Sequence, residues 1–475
     1  MSVLEKSSIQ CLEEWLDSYL NFERTPKKGI FWLDTIRFLC NRFDNPEKSY
    51  KSVHIAGSKG KGSVSTMLSS IIKEYKSSCG LYTSPHILSL AERITDSQNI
   101  LDEKIYETAL KELIYKVESI IPEQLPNERE ITWFELITLY SFLCFREAKF
   151  SWAVFETGLG GRLDTTNILT PELSVITPIE LEHTDFLGDT IEKIAFEKAG
   201  IIKDSTPVCV SKQSKAAYEV IKAKCNETNS KLYFYEDYVE SLKITMPKVD
   251  CNAVSKKMFV EIVYKDLFSR PIKANISLIG QMQGENAALA ALCAKVLFPE
   301  ISENVIEKGL EKAQLQGRFE IAKNPVNPQK YVVLDGAHTV NSIGGTLKSF
   351  KEIFYNDENQ STKSTLVFAA AADKDINHIA SLLLDSNLFS NVYLTKPGSV
   401  KASDLSKIKD AFENSLKKDG TDYLTNEDFE KVLEEAISQS GKQGKNLLIT
   451  GSFYIVAEAK KVLLATSSRE SSEIV

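Results

Sequence analysis

The sequence predicts an α/β protein with a mostly parallel, doubly wound sheet, followed by a second, smaller α/β domain. Two observations support this fold class. Short apolar runs typical of buried strands alternate with segments of helical periodicity, and polar or glycine-rich loops follow the ends of those runs. The alternation is interrupted after about residue 232 and begins again beyond residue 317.

Five short apolar runs predict the strands of the first domain. They lie at 53–56, 80–83, 152–155, 173–177 and 207–210. Helical periodicity is found at 9–21, 30–43, from 64 onward, and at 102–121, 132–148 and 190–200. Proline and glycine predict a loop at 21–29, Pro178 ends the fourth strand, and Gly200 ends the last helix.

A small β region follows, because residues 232–279 contain strand-like runs at 232–235, 258–264 and 272–278. Helices are expected at 284–297 and 302–313, and the first domain therefore comprises residues 1–317. The second domain, 318–465, has predicted strands at 331–334, 365–368 and 392–394, and its last strand-like segment is 446–452. The Ser/Glu-rich tail 466–475 is expected to be disordered.

Composition excludes several classes of protein. The 475 residues are 43% hydrophobic and 26% charged, as in ordinary globular chains, and the net charge of −8 argues against a nucleic-acid-binding surface. Eight scattered cysteines without a Cys-x-x-Cys pair favour reduced thiols over disulfides or a zinc site. The first residues lack a signal-peptide pattern and no apolar stretch approaches 18 residues, so we expect a cytoplasmic protein that does not span a membrane.

A glycine-rich turn separates the first strand from the helix that follows. It reads Gly57-Ser58-Lys59-Gly60-Lys61-Gly62-Ser63. Backbone N–H groups of such a turn and the helix N-terminus can bind phosphate, with Lys61 reaching the β- and γ-phosphates and Ser63 able to bind Mg²⁺. Because Gly62 separates Lys61 from Ser63, the spacing is not a strict Walker A motif, and plain turn chemistry is the alternative.

Polar residues also follow the apolar runs. Ser84, Glu156 and His183 have side chains that can jointly bind a divalent cation, although Mg²⁺ prefers oxygen ligands. The alternative is a capping serine, a solvated glutamate and a structural histidine. By sequence alone, Gly158–Gly161 is either a close-approach loop or a flexible one, and Lys198 is a last-turn lysine that complements a helix dipole.

In the second domain, an acid and an imidazole follow a predicted strand at Asp335 and His338, and 373–375 (Asp-Lys-Asp) follow the next one. The chain contains neither a Gly-x-Ser-x-Gly nor a His-Glu-x-x-His motif. The sequence therefore gives little support for a hydrolase or a zinc enzyme.

Taken together, these motifs resemble those of the folylpolyglutamate synthase/dihydrofolate synthase family, relatives of the Mur ligases, over residues 12–465. The resemblance is carried by the glycine turn, by Ser-Pro-His at 84–86 with Glu-Arg-Ile at 92–94, and by the run at 156–167. It continues at Glu182-His183, 197–200 (Glu-Lys-Ala-Gly), 317–319 (Gly-Arg-Phe), 335–338 (Asp-Gly-Ala-His) and Gly451-Ser452.

The resemblance implies a P-loop-type ATPase domain that binds folate, followed by a Rossmann-like glutamate ligase domain. It implies an ATP-dependent ligase that phosphorylates a carboxylate of a folate or pteroate and joins it to L-glutamate. The implied cofactors are ATP and two Mg²⁺ ions, the partners are small molecules only, and the family default is a monomer.

The resemblance also implies roles for individual residues. Lys61, Lys198 and His338 would be catalytic, with Lys198 carbamylated. ATP would be held by Gly57, Ser58, Lys59, Gly60, Lys61, Gly62, Ser63, Asn286, Arg318 and Asp335. Magnesium would be bound by Ser84, Glu156 and His183. Substrate would be contacted by Thr132, Trp133, Phe134, Glu135, Leu163, Asp164 and Thr165, with Phe134 stacking on a pterin ring.

Three departures from the family pattern stand out. Ser58-Lys59 replaces Thr-Asn, Glu182 replaces Asp, and 339–341 (Thr-Val-Asn) replaces Asn-Pro after the Asp-Gly-Ala-His run, where the second domain should close over ATP. None removes a metal ligand or Lys61, so we expect an active enzyme. A non-catalytic nucleotide- or pterin-binding paralogue and a Mur-type ligase acting on another substrate are the alternatives. The choice between dihydropteroate and reduced folate, and the glutamate chain length, stay open.

Overall fold

The computed structural model describes residues 6–22, 32–248, 257–355, 362–399, 402–415 and 422–472. The backbone divides into two compact units. The first comprises Met1–Lys243, Val260–Asn275 and Gln283–Gln314, and the second comprises Ile244–Phe259, Ile276–Met282 and Leu315–Val475.

The first unit is built on a seven-stranded sheet. Its strands are β1 (Lys51–Ala56), β2 (Gly80–Tyr82), β3 (Ile94–Thr95), β4 (Trp152–Glu156), β5 (Leu173–Ile176), β6 (Val208–Val210) and β7 (Leu232–Phe234). The order is β3-β2-β4-β1-β5-β6-β7, and every pairing is parallel except β2 with β3. Since β1 lies between β4 and β5, the loop after β1 leaves the sheet at its switch point, where α/β proteins bind ligands.

Helices surround this sheet within the described residues. They are α1 (Ser8–Leu16), α2 (Asp34–Arg42), α3 (Lys61–Lys76), α4 (Glu103–Glu118), α5 (Trp133–Glu147), α6 (Thr184–Leu187), α7 (Ile191–Ala199), α8 (Lys215–Glu227), α9 (Tyr235–Tyr238), α10 (Gln281–Leu297) and α11 (Glu303–Lys312). Helix α5 is apolar on nearly every face and is almost wholly buried; the rings of Phe142 and Phe145 pack edge-on against Phe155 of β4, at 5.3 and 5.6 Å between centroids.

A separate three-stranded sheet has the order β10-β9-β8, formed by β8 (Val239–Thr245), β9 (Met258–Tyr264) and β10 (Ile272–Ile276). Residues of β9 alternate between buried and half-buried, which is the period-two pattern of a sheet with one covered face. The predicted small β region is therefore present. Its first predicted strand is also confirmed as a strand but belongs to the large sheet, because 232–234 pair with β6 at the edge of that sheet.

The second unit contains a six-stranded sheet with the order β11-β12-β16-β13-β14-β15. Its strands are β11 (Glu320–Lys323), β12 (Tyr331–Asp335), β13 (Ser364–Phe368), β14 (Phe389–Leu394), β15 (Asp422–Thr425) and β16 (Leu447–Thr450). Only β11 is antiparallel to its neighbour. The accompanying helices are α12 (Val340–Phe354), α13 (Ile376–Asp385), α14 (Leu405–Ser415), α15 (Phe429–Lys442) and α16 (Phe453–Ser472).

The predicted fold class is confirmed: the protein is α/β, with mostly parallel sheets in two units. The expected disordered tail is not seen from residue 466, because helix α16 continues to Ser472. Residues 473–475 lie outside the described residues. The predicted loop at 21–29 lies outside them from residue 23 onward.

The sequence missed several elements, among them α8, β8, β11 and β15. In the described part of the chain the cysteines are free thiols, and no helix there is long and apolar enough to cross a membrane.

Candidate functional site

The glycine turn between β1 and α3 is tightly enclosed. Gly57 and Gly60 have positive φ angles of 150° and 84°. A Cβ atom at Gly57 would lie 1.8 Å from Thr177 Oγ1, and one at Gly60 would lie 2.6 Å from Asn286 Oδ1. Both positions therefore require glycine, and the predicted nucleotide residue Asn286 lies directly against the turn.

Hydrogen bonds attach the turn to the segment after β5. The backbone N–H groups of Ser58 and Lys59 donate to the Pro178 carbonyl at 2.8 and 3.2 Å, and Ser58 Oγ donates to the Glu180 carbonyl at 3.1 Å. These two amides thus already have an acceptor. The amides best placed for a phosphate are those in the first turn of α3, from Lys61 onward, because a helix offers its first N–H groups no internal acceptor.

Three lysine amines converge on this turn. Lys61 Nζ and Lys198 Nζ donate to the Gly57 carbonyl at 3.1 and 2.7 Å. Lys198 Nζ also pairs with Glu182 Oε1 at 3.0 Å, and Lys59 Nζ lies 3.5 Å from Glu182 Oε2. We call the side chains of Lys59, Lys61, Lys198 and Glu182 the lysine cluster. Its three amines outnumber the Glu182 carboxylate and the nearby Glu180 carboxylate that also acts on Lys59, so the site favours an anionic ligand.

The pKa values of the cluster reflect burial opposed by charge. Burial lowers the pKa of Lys198 to about 8, although the neighbouring Glu182 carboxylate raises it. Burial would raise the pKa of Glu182, but the charges of Lys198, Lys61 and Lys59 together hold it at about 2. Lys198 consequently has a sizeable neutral-amine fraction near pH 8, while Glu182 stays ionised.

Lys198 reaches the turn because the glycine loop after β4 packs on the end of α7. A Cβ at Gly161 would lie 2.8 Å from the carbonyl oxygens of Glu197 and Lys198, and Arg162 binds the Glu197 carboxylate through Nε and Nη2 at 2.9–3.2 Å. Lys198 is only 1% exposed. Lys198 lies in the last turn of α7, as expected, but its amine is buried against the phosphate turn instead of being solvated at the helix end. The Gly158–Gly161 run is closely packed, and its approach to a ligand stays a prediction.

The structure brings together two of the three predicted metal ligands. The Ser84 backbone N–H donates to Glu156 Oε2 at 3.1 Å, and Glu156 is a buried residue at the end of β4. His183 follows Glu182 with φ of 48° and an exposed side chain. The described residues contain no cluster of three or more His, Cys, Asp or Glu side chains that could hold a metal. The predicted metal ligands are one Glu, one His and one Ser, and their joint binding of a metal stays a prediction.

The loop that carries Ser84 is held by the Glu-Arg-Ile segment. The Glu92 carboxylate accepts the N–H groups of Ile87, Leu88 and Ser89 at 2.8–3.0 Å. Arg93 is buried and donates from Nε to His86 Nδ1 at 2.9 Å. The two motifs matched in sequence are therefore one structural element.

All four predicted substrate residues at 132–135 have structural partners, Phe134 through the Tyr82 ring at 6.4 Å between centroids. Thr132 and Glu135 form a capping box at the start of α5, with Thr132 N and Oγ1 both 2.8 Å from Glu135 Oε2. The Arg93 guanidinium lies 5.0 Å from the centre of the buried Trp133 ring. Half-buried Phe134 differs, because its ring approaches the glycine loop: a Cβ at Gly158 would lie 2.5 Å from Phe134 Cζ.

Asp164 braces the same glycine loop from within. It is buried and accepts the N–H groups of Leu159 and Thr166 at 2.8 and 3.1 Å, together with Thr166 Oγ1 at 2.5 Å. Burial raises the pKa of Asp164, and these hydrogen bonds oppose the rise. The neighbouring Leu163 and Thr165 are partly exposed, so of these three predicted substrate residues they are the more accessible.

In the second unit, Asp335 ends β12 and organises the turn after it. Its carboxylate accepts the N–H groups of Ala337 at 2.7 Å and Phe319 at 3.0 Å. Burial raises the pKa of Asp335 to about 6, although these bonds and the Arg318 charge lower it. The predicted residues Arg318 and Asp335 therefore belong to one cluster within this unit.

Phe453 joins that cluster and was missed in the sequence. Its ring lies 4.1 Å from the Arg318 guanidinium carbon and 5.9 Å from the His338 ring, and a Cβ at Gly336 would lie 2.1 Å from it. The available signal was its position directly after the Gly451-Ser452 motif. The Gly451 N–H donates to the Ala337 carbonyl at 2.9 Å, which joins the two motifs.

The departure at 339–341 starts a regular helix. Thr339 caps α12, with Thr339 Oγ1 accepting the Ser342 N–H at 3.4 Å and the Ser342 side chain binding back to the Thr339 N–H at 3.0 Å. The changed residues thus preserve the helix start that follows Asp335 and His338.

Comparison with known proteins gives consistent matches over both units. Residues 55–294 match the Mur ligase middle domain, and residues 317–453 match the Mur ligase glutamate ligase domain. The chain is 30% identical to the dihydrofolate synthase/folylpolyglutamate synthase of Bacillus subtilis, covering 96% of this chain and 99% of that protein. It is also 30% identical to the folylpolyglutamate synthase of Lacticaseibacillus casei, covering 94% and 97%.

Solved structures are similar over the same extent. An FPGS–AMPPCP–folate complex has a TM-score of 0.76 to this chain at 26% identity, covering 96% of this chain and 99% of that one. The similarity therefore includes a protein with an ATP analogue and folate bound.

Proposed function

The chain belongs to the folylpolyglutamate synthase/dihydrofolate synthase family of Mur ligases, and we propose from this premise how it joins L-glutamate to a folate or dihydropteroate carboxylate. It is an ATP-dependent acid–amino-acid ligase. A carboxylate oxygen of the acceptor attacks the γ-phosphorus of ATP, giving an acyl phosphate and ADP. The amino group of glutamate then attacks the acyl carbon, the amide forms, and phosphate leaves with that carboxylate oxygen.

The lysine cluster is the observation that carries this proposal. Phosphoryl transfer needs positioned groups that neutralise charge on the transferred phosphoryl more than it needs protein nucleophiles. The Lys61 amine lies beside the Gly57 carbonyl at the first residue of α3, where it can reach phosphates bound at the turn. The first turn of α3 supplies N–H groups beside it, and Asn286 packs against the turn at Gly60, which supports its assignment to nucleotide binding.

Magnesium fits the residues at the adjacent strand ends. Glu156 offers a buried carboxylate beside Ser84, and oxygen donors of this type suit Mg²⁺. We assign Ser84, Glu156 and His183 as the residues that would hold it, with two ions as the family resemblance implies. When bound, Mg²⁺ would neutralise phosphate oxygens during the transfer.

Lys198 is proposed to be carbamylated. A neutral amine is the form that reacts with carbon dioxide, and burial favours this form. The products would be a carbamate anion and a proton released to solvent; the carbamate is a hard oxygen ligand and could add to the metal-binding set. The ion pair with Glu182 belongs to the unmodified amine, so in the carbamylated enzyme Lys59, Lys61 and the metal would supply the positive charge beside the phosphates.

The second unit is proposed to contribute Arg318, Asp335 and His338. Arg318 is oriented by the Phe453 ring, and Asp335 holds the turn that leads to His338. We assign Arg318 and Asp335 to ATP binding and His338 to the γ-phosphate, as the resemblance implies. Phe134, Leu163 and Thr165 are the substrate contacts that we favour, since their side chains are partly buried and, unlike that of Thr132, do not form the α5 capping box. Thr132, Trp133, Glu135 and Asp164 stay predicted substrate contacts.

We further propose that the enzyme acts as a cytoplasmic monomer, in keeping with the family resemblance. Polyglutamylation is the activity we favour, with dihydrofolate synthesis as a second activity of the same site. The Bacillus subtilis relative is named for both activities.

The test is ADP formation from ATP with Mg²⁺ and L-glutamate, measured separately with dihydropteroate and with tetrahydrofolate. Turnover with one acceptor identifies the activity, and turnover with both makes the enzyme bifunctional. Folded, ATP-binding protein that is inactive with both acceptors would contradict the proposal and favour a non-catalytic paralogue.

A further inference from the structure

A fully buried histidine lies on strand β1, just before the glycine turn. Nε2 of this residue, His54, is 2.7 Å from Thr166 Oγ1, and the Thr166 hydroxyl donates to Asp164 Oδ1 at 2.5 Å. The other carboxylate oxygen, Asp164 Oδ2, accepts the Leu159 N–H at 2.8 Å. We call His54, Thr166 and Asp164 the His54 chain; it joins β1 to the glycine loop after β4.

The direction of each hydrogen bond in the chain follows from the number of hydrogens available. Burial, with the charge of Lys203, lowers the pKa of His54 to about 3, so the ring is neutral and carries one N–H. The Thr166 hydroxyl has a single hydrogen and donates it to the Asp164 carboxylate, so its oxygen must accept from the ring. The N–H of His54 is therefore on Nε2.

This donor is what the ring supplies to the fold. Among the described residues, His54 Nδ1 has no hydrogen-bond partner. A buried polar atom without a partner costs free energy, whereas an apolar side chain at the same position would have no polar atom to satisfy. Strand β1 lies between β4 and β5 inside the sheet, so an apolar residue would suit this position better for stability alone.

The chain holds the inward side of the segment that carries two predicted acceptor contacts. Asp164 and Thr166 are 5% and 0% exposed, whereas Leu163 and Thr165, which alternate with them, are partly exposed. Attaching the two inward side chains to β1 therefore also fixes the backbone from which the two outward side chains extend.

We propose that His54 is a positioning residue for the folate or dihydropteroate acceptor. Acting through Thr166 and Asp164, it holds the segment 163–166 and the glycine loop in the arrangement that contacts the acceptor. His54 itself is too deeply buried to touch a ligand, and any contact of the Asp164 carboxylate with the acceptor would depend on the same chain. This inference deepens the proposed function and rests on it for the identity of the acceptor.

The test compares H54L, which removes the donor, with H54Q, whose amide N–H can replace that of Nε2. Dissociation constants are measured by calorimetry, without turnover, for Mg²⁺-AMPPCP and then, in its presence, for dihydropteroate and tetrahydrofolate. H54L is expected to weaken acceptor binding about tenfold, with nucleotide affinity and the urea-unfolding midpoint close to those of the wild type, because only the acceptor contacts depend on the chain. H54Q should bind the acceptor within about threefold of the wild type.

Substitutions at Thr166 test whether the residues act as one chain. T166V removes the middle hydroxyl and should weaken acceptor binding at least as much as H54L, whereas T166S keeps the hydroxyl and should not. H54L/T166V should bind no more weakly than T166V, because the second break adds nothing to a chain already broken. S70A is the matched control: it removes another fully buried hydroxyl, which donates to the Gly309 carbonyl at 2.7 Å, and should leave acceptor binding unchanged.

Two further measurements need no acceptor. In ¹⁵N-histidine NMR, the signal missing from H54L should be that of a neutral Nε2–H tautomer between about pH 5 and 8. Amide hydrogen exchange at Leu159 should be about tenfold faster in H54L than in the wild type, because the carboxylate that accepts this N–H is less firmly held.

The inference would be overturned by an Nδ1–H tautomer, by unchanged exchange at Leu159, or by acceptor binding in H54L within about twofold of the wild type. An equal loss of nucleotide and acceptor affinity in H54L would overturn it too, since it would indicate a general structural role. Failure of the proposed function looks different: the wild type would bind Mg²⁺-AMPPCP but neither acceptor, or would bind an acceptor without forming ADP. The tautomer and the exchange rate would still decide whether His54 holds the loop.

Discussion

Replacing Gly161 by alanine tests how the glycine loop places Lys198. The new Cβ would lie 2.8 Å from the carbonyl oxygens of Glu197 and Lys198 and 3.0 Å from Ile201 Cγ2. The backbone of Gly161 is not in the left-handed region, so alanine is disfavoured only by these contacts. Two of them involve backbone oxygens and cannot be relieved by a side-chain rotation, so the end of α7 must shift.

The expected loss of stability comes from overpacking, and the expected loss of activity comes from misplacement of Lys198. Overpacking of a close-packed site costs about 1–3 kcal/mol in the free energy of unfolding. Lys198 Nζ lies 2.7 Å from the Gly57 carbonyl oxygen, so a small shift of α7 breaks this hydrogen bond. Since misplacement by about 1 Å can cost a hundredfold, we expect kcat/KM for ATP to fall by between about 10- and 100-fold.

The assay combines urea unfolding with glutamate-dependent ADP formation. Gly345→Ala is the matched control, because a Cβ at this helical glycine meets nothing within 4 Å. It should raise the free energy of unfolding by about 1 kcal/mol and leave turnover unchanged. Wild-type stability and turnover in the Gly161→Ala variant would refute the packing argument.

Three further predictions concern the capping box, the strand-end carboxylate and the second unit. Because Thr132 caps α5, Thr132→Ala should lose about 1 kcal/mol of unfolding free energy, with KM for the acceptor unchanged. Thr132→Ser should restore the lost stability. A raised KM with intact stability would instead indicate that Thr132 contacts substrate. Glu156→Gln should lower Mg²⁺-dependent turnover at least about 100-fold, whereas near-normal turnover at saturating Mg²⁺ would remove Glu156 from the metal site. Asp335 binds a proton more tightly when folded, with a pKa of about 6 against an ordinary 3.8. The unfolding free energy of the wild type, measured in urea relative to that of Asp335→Asn, should therefore fall by at most about 3 kcal/mol as pH rises from 4 to 7. An increase over this pH range would contradict a raised pKa of Asp335 in the folded protein.

The sequence predicted those parts of the fold that depend on local pattern. Strand β1, the glycine turn and the start of α3 are adjacent in the chain, and their apolar and glycine patterns are strong. Strand β7 was assigned to the wrong sheet because its apolar pattern does not reveal its partner. Helix α8 follows a capping serine, Ser214, which was a usable signal that the apolar pattern alone did not provide.

The residues of the candidate site likewise differ in whether a local sequence pattern could predict them. Gly57 and Lys61 were predicted from the turn itself, but the contact of Lys198 with the Gly57 carbonyl joins residues 141 positions apart and needs the fold. Thr132 and Glu135 had the spacing of a capping box, a local signal that was available and indicates a structural role. The pairing of Lys59 with Glu182 was beyond single-sequence reasoning, because nothing local relates the two residues.

The measurement that tests the central claim most directly follows an oxygen atom. The acceptor, dihydropteroate or tetrahydrofolate, is labelled with ¹⁸O in its carboxylate and turned over with ATP, Mg²⁺ and L-glutamate, and the released phosphate is analysed by mass spectrometry. If the carboxylate attacks the γ-phosphorus, each phosphate released from fully labelled acceptor carries one ¹⁸O atom. Unlabelled phosphate, formed together with the glutamate amide, would contradict the acyl phosphate and with it the role given to the lysine cluster.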